Sequence, residues 1–344
     1  MRNQFWGLAV TVGLGLLLGV WAGQGLGQED FYKGKTVRIV VGSAPGGGFD
    51  TYARAIARQM GKHVPGNPTV IVENMTGAGS LRSANYLYRI AKPDGLTIGH
   101  FLGGLLLGQA LGREGIEFDA RKFEYLGVPV RESSICALGK KVGFSTIEEW
   151  LASKTPVKLG GIAPGNATDD VAKILQAGIG LPIHLVSGYK GTSEVRLAVD
   201  GGEVFGVCMG WDSIKATWRK QLDSGEVAIV VQATARPHPE LPKVPLALSF
   251  AKTQEGRRLI EVGIHDLSAI FRPYVLPPGT PKDRVENLRR AFAETLKDPE
   301  FLSAAAKSRL SIDPVSGEEA KKIVAGLFDL PPALAAKLKD TLKW

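Results

Sequence analysis

From Lys35 onward the chain alternates short apolar, β-branched runs with stretches whose apolar residues recur every three to four positions. The order is "TVRIVV", a helical pattern over 50–60, "PTVIVEN", a helical pattern over 80–91, "GLTIGHF" and a helical pattern over 105–112. This rhythm predicts βαβ units and a mainly parallel sheet covered by helices. In the first helix Phe49, Tyr52, Ala53, Ile56, Ala57 and Met60 share one face, while Arg54 and Arg58 lie on the other. The apolar face packs, and the helix start points at the glycine loop before it.

A second set begins after "SSICALGKKVGFSTIEEWLASK", where Ser145 and Glu148 have capping-box spacing. It runs "VKLGGIA", a helix over 168–178, "IHLVSGY", a helix over 191–199, "VFGVCMG", a helix over 212–222 and "VAIVVQA". A second sheet follows from it. The stretch "TARPHPELPKVPLAL" carries four prolines and reads as a surface connection. Later helices are expected to open at Thr280, with Pro281 first in the helix, and at Ser316, with Glu319 three residues on. Residues 331–343 form a short basic amphipathic helix, expected to dock on the body rather than on a membrane.

The N-terminus departs from this rhythm. After Arg2 no charge appears until Glu29, and Phe5 to Gly23 is apolar and rich in glycine. A positive start, an apolar centre and small residues at Gly25 and Gly27 predict an export signal cut near Gly27, so positions 1–27 are set apart from the fold. The run is also long enough to span a bilayer, but its glycines weaken a permanent membrane helix. For the rest, the expected organisation is a first lobe over 28–139, a second over 140–231 and a return to the first over 232–344. The crossings are expected near Leu138–Lys141 and Val230–Thr234.

Composition adds exclusions. With 344 residues, 44% of them hydrophobic, core size is no limitation, and the formal charge of +8 is spread without any run of five like charges. Nucleic acid is therefore not an expected partner, since binding it needs a concentrated basic face. Cys136 and Cys208 are the only cysteines, and their spacing matches no metal motif. They could pair in an oxidising compartment, but nothing in the sequence places them within bonding range, so two separate buried thiols are the expectation.

The candidate chemistry lies in three loops, each running from an apolar strand into a helix: "GSAPGGGFD" (42–50), "NMTGAGS" (74–80) and "GGIAPGNATDD" (160–170). Helix starts leave N–H groups without intrahelical partners and carry partial positive charge, so they suit anions. Glycine lets a ligand approach the backbone, and a carboxylate can be held there without a lysine. Glycine turns are also common at such junctions merely because the chain must bend. Three of them facing across a cleft between lobes favour a binding site.

Enzyme motifs are missing. "GSAPGGGF" lacks the Gly-Lys-Ser/Thr ending of a phosphate loop, "GAGSLR" lacks the third glycine of a dinucleotide fingerprint, and no G-x-S-x-G occurs. The five histidines are isolated, so no zinc spacing exists, and no cofactor is expected. Asp50 reads as an N-cap and Asp169 with Asp170 as first-turn acids, leaving a hydrolase built on that pair with Lys190 as the minor alternative.

"GKTVRIVVGSAPGGGFDTYARAIARQM" with "VIVENMTGAGSLRSANYLYRIAKPDGLTIG" resembles the substrate-binding proteins of tripartite tricarboxylate transporters, the Bug family. "VSGYKGTSEVRLAVDGGEV", "LPKVP" and "LPPGTPKDRVENLRRAFAETLKDPEF" continue the likeness over nearly all of the chain after the export signal. The resemblance implies a two-lobed periplasmic binding protein of type II-like fold that closes on a small organic acid and delivers it to membrane subunits. It implies a carboxylate held by backbone amides, hydroxyls and water. By position it assigns Ser43, Ala44, Gly46, Gly47, Gly48 and Asp50, with Thr76, Gly77, Ala78 and Gly79, to the first lobe's side of the site. From the second lobe it takes Ala163, Pro164, Gly165, Asn166, Ala167 and Thr168, with Tyr189, Lys190 and Gly191. "CMGWDS" departs from the family's usual run there, which brings in Trp211 and Asp212 as cleft residues, Trp211 with a core or lid role as the alternative. A receptor that docks on a signalling protein would use the same cleft.

Overall fold

The computed structural model describes residues 31–343; positions 1–27, expected to be the export signal, lie outside them. The first sheet contains β1 (Thr36–Val41), β2 (Thr69–Asn74), β3 (Thr97–His100) and β4 (Glu124–Val128). The second contains β5 (Ser134–Gly139), β6 (Val157–Gly160), β7 (Ile183–Val186), β8 (Gly206–Gly210) and β9 (Val227–Gln232). β10 (Tyr274–Leu276) and β11 (Val315–Ser316) return to the first. The strand orders are β11-β4-β10-β3-β1-β2 and β7-β6-β8-β5-β9. β1 pairs in parallel with β2 and β3, and β6 with β7 and β8, as the βαβ rhythm predicts. The returning and crossing strands β10, β11 and β5 pair antiparallel, so both sheets are mixed.

Fourteen α-helices flank the sheets in the described residues. α1 (Gly48–Met60), α2 (Leu81–Arg89), α3 (Gly104–Ala110), α4 (Ile147–Ala152), α5 (Ala167–Ile179), α6 (Thr192–Gly201), α7 (Trp211–Thr217) and α8 (Arg219–Asp223) lie between strands. After the proline-rich connection come α9 (Gln254–Ile260), a π-helical turn Glu261–Asp266, α10 (Leu267–Ile270), α11 (Lys282–Thr295), α12 (Pro299–Lys307), α13 (Gly317–Phe328) and α14 (Pro332–Leu342). On α1 all six residues of the predicted apolar face are buried.

Local starts shift where a neighbouring residue caps better. Thr146 and Glu149, not Ser145 and Glu148, form the capping box of α4: Glu149 N–H donates to Thr146 Oγ1, and the Thr146 N–H to Glu149 Oε2. Thr280 spends its hydroxyl on the Pro277 carbonyl at 2.8 Å, and Pro281 takes the N-cap place of α11. Ser316 caps α13 as expected.

The crossings differ from expectation. Leu138 lies inside β5, deep in the second sheet, so the chain leaves the first sheet between Val128 and Ser134. β9 ends at Gln232, yet the chain does not rejoin the first sheet until Tyr274. Between them α9 packs on α5 of the second lobe, with Leu259, Ile260 and Ile264 in one core with Val171, Ile174 and Leu175. After α13, which packs on β4, the chain crosses again: α14 docks on α5 and α9 through buried Leu338 and Leu342. Lys173 Nζ donates to the Leu342 carbonyl.

Cys136 and Cys208 are not separate thiols. They stand opposite each other on antiparallel neighbours β5 and β8 and form a disulfide. The pairing joins residues 72 apart in sequence. A loop of that size is worth about 4 kcal/mol through restriction of the unfolded chain. Replacing both cysteines by alanine is expected to lower the unfolding free energy by about that much, read by denaturant melts.

His100 ends β3, stacked on Tyr274 at 4.1 Å and beside Phe49 at 4.8 Å. Burial pushes its pKa down to about 3, the Pro273 carbonyl opposing this and the Arg272 charge adding to it. Because the folded value lies below the ordinary 6.5, the unfolded chain binds the proton first on acidification. The stability tied to neutral His100 is complete above about pH 6.5 and is lost as pH falls toward 3. A His100→Phe variant is expected to melt with a shallower pH dependence across that window than the unaltered protein.

Candidate functional site

In the first loop no side chain caps α1, whose N-cap is Gly47. Asp50 is not that cap. Its buried carboxylate accepts from the Gly46 N–H at 2.9 Å, Arg54 Nε at 2.8 Å and Asn74 Nδ2 at 2.9 Å. Burial raises its pKa, but Arg54, the Gly46 amide and Asn74 outweigh that and hold it below the usual carboxylate range. Asn74 Nδ2 also donates to the Ser43 carbonyl. Asp50 therefore shapes the loop from behind. Ala44, Gly46, Gly47 and Gly48 stay exposed, which leaves the amide end of α1 accessible.

The second loop lies alongside the first. The Met75 N–H donates to the Val41 carbonyl and Ser80 Oγ to the Gly42 carbonyl. Thr76, Gly77, Ala78 and Gly79 are exposed, and Gly77, Ala78, Gly79 and Ser80 all have positive φ. Ala78 and Ser80 bear the strain of the left-handed region that glycine would relieve.

Across the cleft, Asn166 caps α5 by accepting from the Thr168 N–H at 3.1 Å. Thr168 Oγ1 accepts from the Ile162 N–H and donates to Asp169. Asp169 is fully buried and also accepts from Ser187 Oγ and the Ile162 N–H. Asp170 accepts from the Gly165 N–H at 3.1 Å and interacts with Arg113. The acidic pair is thus bound into the loop that carries Ala163, Pro164, Gly165 and Ala167. The next loop adheres to it through Gly188 and Tyr189 N–H bonds to the Gly161 carbonyl. Its side chains turn outward: Tyr189 OH donates to exposed Glu203, and Lys190 is exposed before Gly191 caps α6.

Two residues expected to line the cleft do something else. Trp211 is 8% exposed, packs in the second lobe's core and donates from Nε1 to Glu240 at 2.8 Å. Asp212 is a clasp between lobes: it accepts from Tyr52 OH of α1 at 3.2 Å and Ser311 Oγ at 2.6 Å. Its companion Lys215 sits 3.2 Å away.

Between the loops lies a buried ion pair that the sequence did not reveal. Arg272 Nε and Nη2 donate to Glu132 Oε2, both at 2.9 Å. Phe49, Tyr52 and Phe271 surround the guanidinium, with ring centroids at 4.5, 5.3 and 5.8 Å. Nη1 has no partner among the described residues. Leaving such a donor buried costs roughly 1–3 kcal/mol. Beside the pair, Gly104, Glu132, Ser134, Gly165, Asp170 and Phe271 help line a cavity of about 20 Å³. That is space for about one water. Gly104 and Gly165 approach closely: a Cβ on Gly104 would stand 2.8 Å from the Gly165 carbonyl oxygen.

Among the described residues no group of three or more His, Cys, Asp or Glu is placed to hold a metal, and no helix is long and apolar enough to cross a membrane.

Comparison with known proteins bears on the fold and the family. A protein of Agrobacterium vitis encoded in the ttuE–ttuC′ intergenic region of TAR-I is 29% identical over 286 residues, covering 81% of this chain and 75% of its own. The periplasmic binding protein BugD superposes with a TM-score of 0.69 at 23% identity, over 90% of this chain and 98% of its own. MatC from Rhodopseudomonas palustris, solved with bound malate, gives 0.65 at 21% identity, over 90% and 99%. These likenesses show a two-lobed binding-protein fold. The model of the tripartite tricarboxylate transporter family receptor matches residues 52–326, and with that match over most of its length the chain belongs to this family of receptors.

Proposed function

We propose that this protein captures a small organic acid between its lobes and passes it to the membrane subunits of a tripartite tricarboxylate-type transporter. The observation that carries the reading is the pair of helix starts, α1 and α5, presented by glycine loops from opposite lobes. Each offers backbone N–H groups and the positive end of a helix dipole to a carboxylate. The residues in Ser43–Gly48, Thr76–Gly79 and Ala163–Thr168 supply the amides and hydroxyls, while Asp50, Asp169 and Asp170 hold those loops in shape. MatC was solved with malate, which makes C4 dicarboxylates the first class to test. Export by residues 1–27 would place the protein in the periplasm, where its partner subunits face it.

Closure is the step that converts binding into a signal. The lobes would hinge at the crossings, parting the contacts of Gly104 with Gly165 and of Asp212 with Tyr52 and Ser311 to admit the acid and then closing on it. The ligand is trapped and a new surface is presented to the transporter.

Thermal melting of the purified protein with mono-, di- and tricarboxylates, aromatic acids and neutral controls tests the reading. Ligand at 100 times its Kd adds about 2.7 kcal/mol, which at this size raises Tm by about 5 °C or more. A rise confined to one class of acid is expected; stabilisation by neutral compounds alone would refute it. Gly104→Ala puts a methyl against the Gly165 carbonyl and should cost at least about tenfold in acid affinity by calorimetry, roughly 1.4 kcal/mol. Because that methyl would stand 2.8 Å from a backbone oxygen, the melting temperature without ligand is expected to fall as well.

A further inference from the structure

We infer that Arg272 is a ligand-binding residue of the cleft, giving one carboxylate of the bound acid a fixed cation. The inference rests on the receptor reading and goes beyond it, because both the glycine loops and the family resemblance imply a carboxylate held without one. Arg272 is 4% exposed and comes from the return connection, not from any of the three loops. Its guanidinium is held in orientation by three aromatic rings and by Glu132.

Glu132 uses one edge of that guanidinium, the Nε and Nη2 side, through a single oxygen. The other edge, ending in Nη1, has no acceptor among the described residues. It abuts the first residue of α1: a Cβ on Gly48 would lie 3.2 Å from Nη1. α1 is thirteen residues long and has no side-chain cap, so its amide end and the free guanidinium edge converge. An acceptor placed there would satisfy two orphaned donor sets together. A carboxylate fits because it matches the guanidinium fork and the helix dipole at the same time. Glu132 acts as a positioning residue, since it fixes the plane of the guanidinium and leaves its outer edge for the ligand.

The consequence is selectivity for charge. A carboxylate and its primary amide have nearly the same shape, but only the first gains from a fixed cation. Succinate, malate and adipate, each with its monoamide, would be titrated calorimetrically into the unaltered protein. The same titrations would be made with Arg272→Met/Glu132→Gln, which removes both charges and leaves no lone buried carboxylate. In the unaltered protein at least one acid is expected to bind 50-fold or more tighter than its amide. In the double variant the two should bind within a few-fold of each other.

Gly48→Val, which crowds Nη1 and removes neither charge of the ion pair, is expected to weaken the same acid at least tenfold. It carries the test if the double variant fails to fold. Undiminished preference for the acid in the double variant, or in Gly48→Val if only that variant folds, would mean that the Nη1 edge serves only water, and would overturn the inference. If no acid binds the unaltered protein, the receptor reading itself fails and the inference falls with it. That outcome is distinct because it appears before any variant is made.

Discussion

Glu132 lies on the first connection between the lobes and Arg272 on the second, and the ion pair between them fixes how those connections run side by side. Both side chains are buried, so removing one partner would leave an uncompensated charge at a cost of about 3–5 kcal/mol. Glu132 is anchored further by its own N–H, which donates to the Ser268 carbonyl. Its carboxylate presses on Gly210, where any Cβ would collide with it. The start of α7, and with it the Asp212 clasp, is set by the same pair. A polar interaction between two connections thus places elements of both lobes around the cleft.

The acids of the loops follow a related economy. Asp50, Asp169 and Asp170 are all buried, and each accepts hydrogen bonds from loop amides. Carboxylates that accept from the inner side of a loop leave its outer amides directed at the cleft. Negative groups can therefore line the back of the proposed anion site, because their charge is balanced by N–H groups and by Arg54 or Arg113.

Much of this was legible in the sequence. The period of α1 gave its buried face residue by residue, and the junctions at Gly47, Gly77 and Gly165 marked real bends at strand ends. What stayed hidden depends on partners far apart in the chain. Arg272 and Glu132 are 140 residues apart, Asp212 and Tyr52 160, and Cys136 meets Cys208 only through the β5–β8 register. No local pattern encodes such pairings. Arg272 did leave one trace, a lone cation inside the apolar run "AIFRPYVL". The first crossing was misplaced because β5 is as apolar as an inner strand of either sheet, so its composition could not say which sheet it joined.

The docking of α14 on the second lobe gives the chain a third passage between lobes, at residues 329–331, beside those at 129–133 and 271–273. A body held by two closely spaced straps can both swing and twist. A third strap adds a constraint on torsion. If the lobes close as proposed, three straps would make that motion closer to a door's than to a ball joint's, and the two faces would meet in the same register each time. For a partner that must tell the filled state from the empty one, a motion of one dimension yields two shapes and few between.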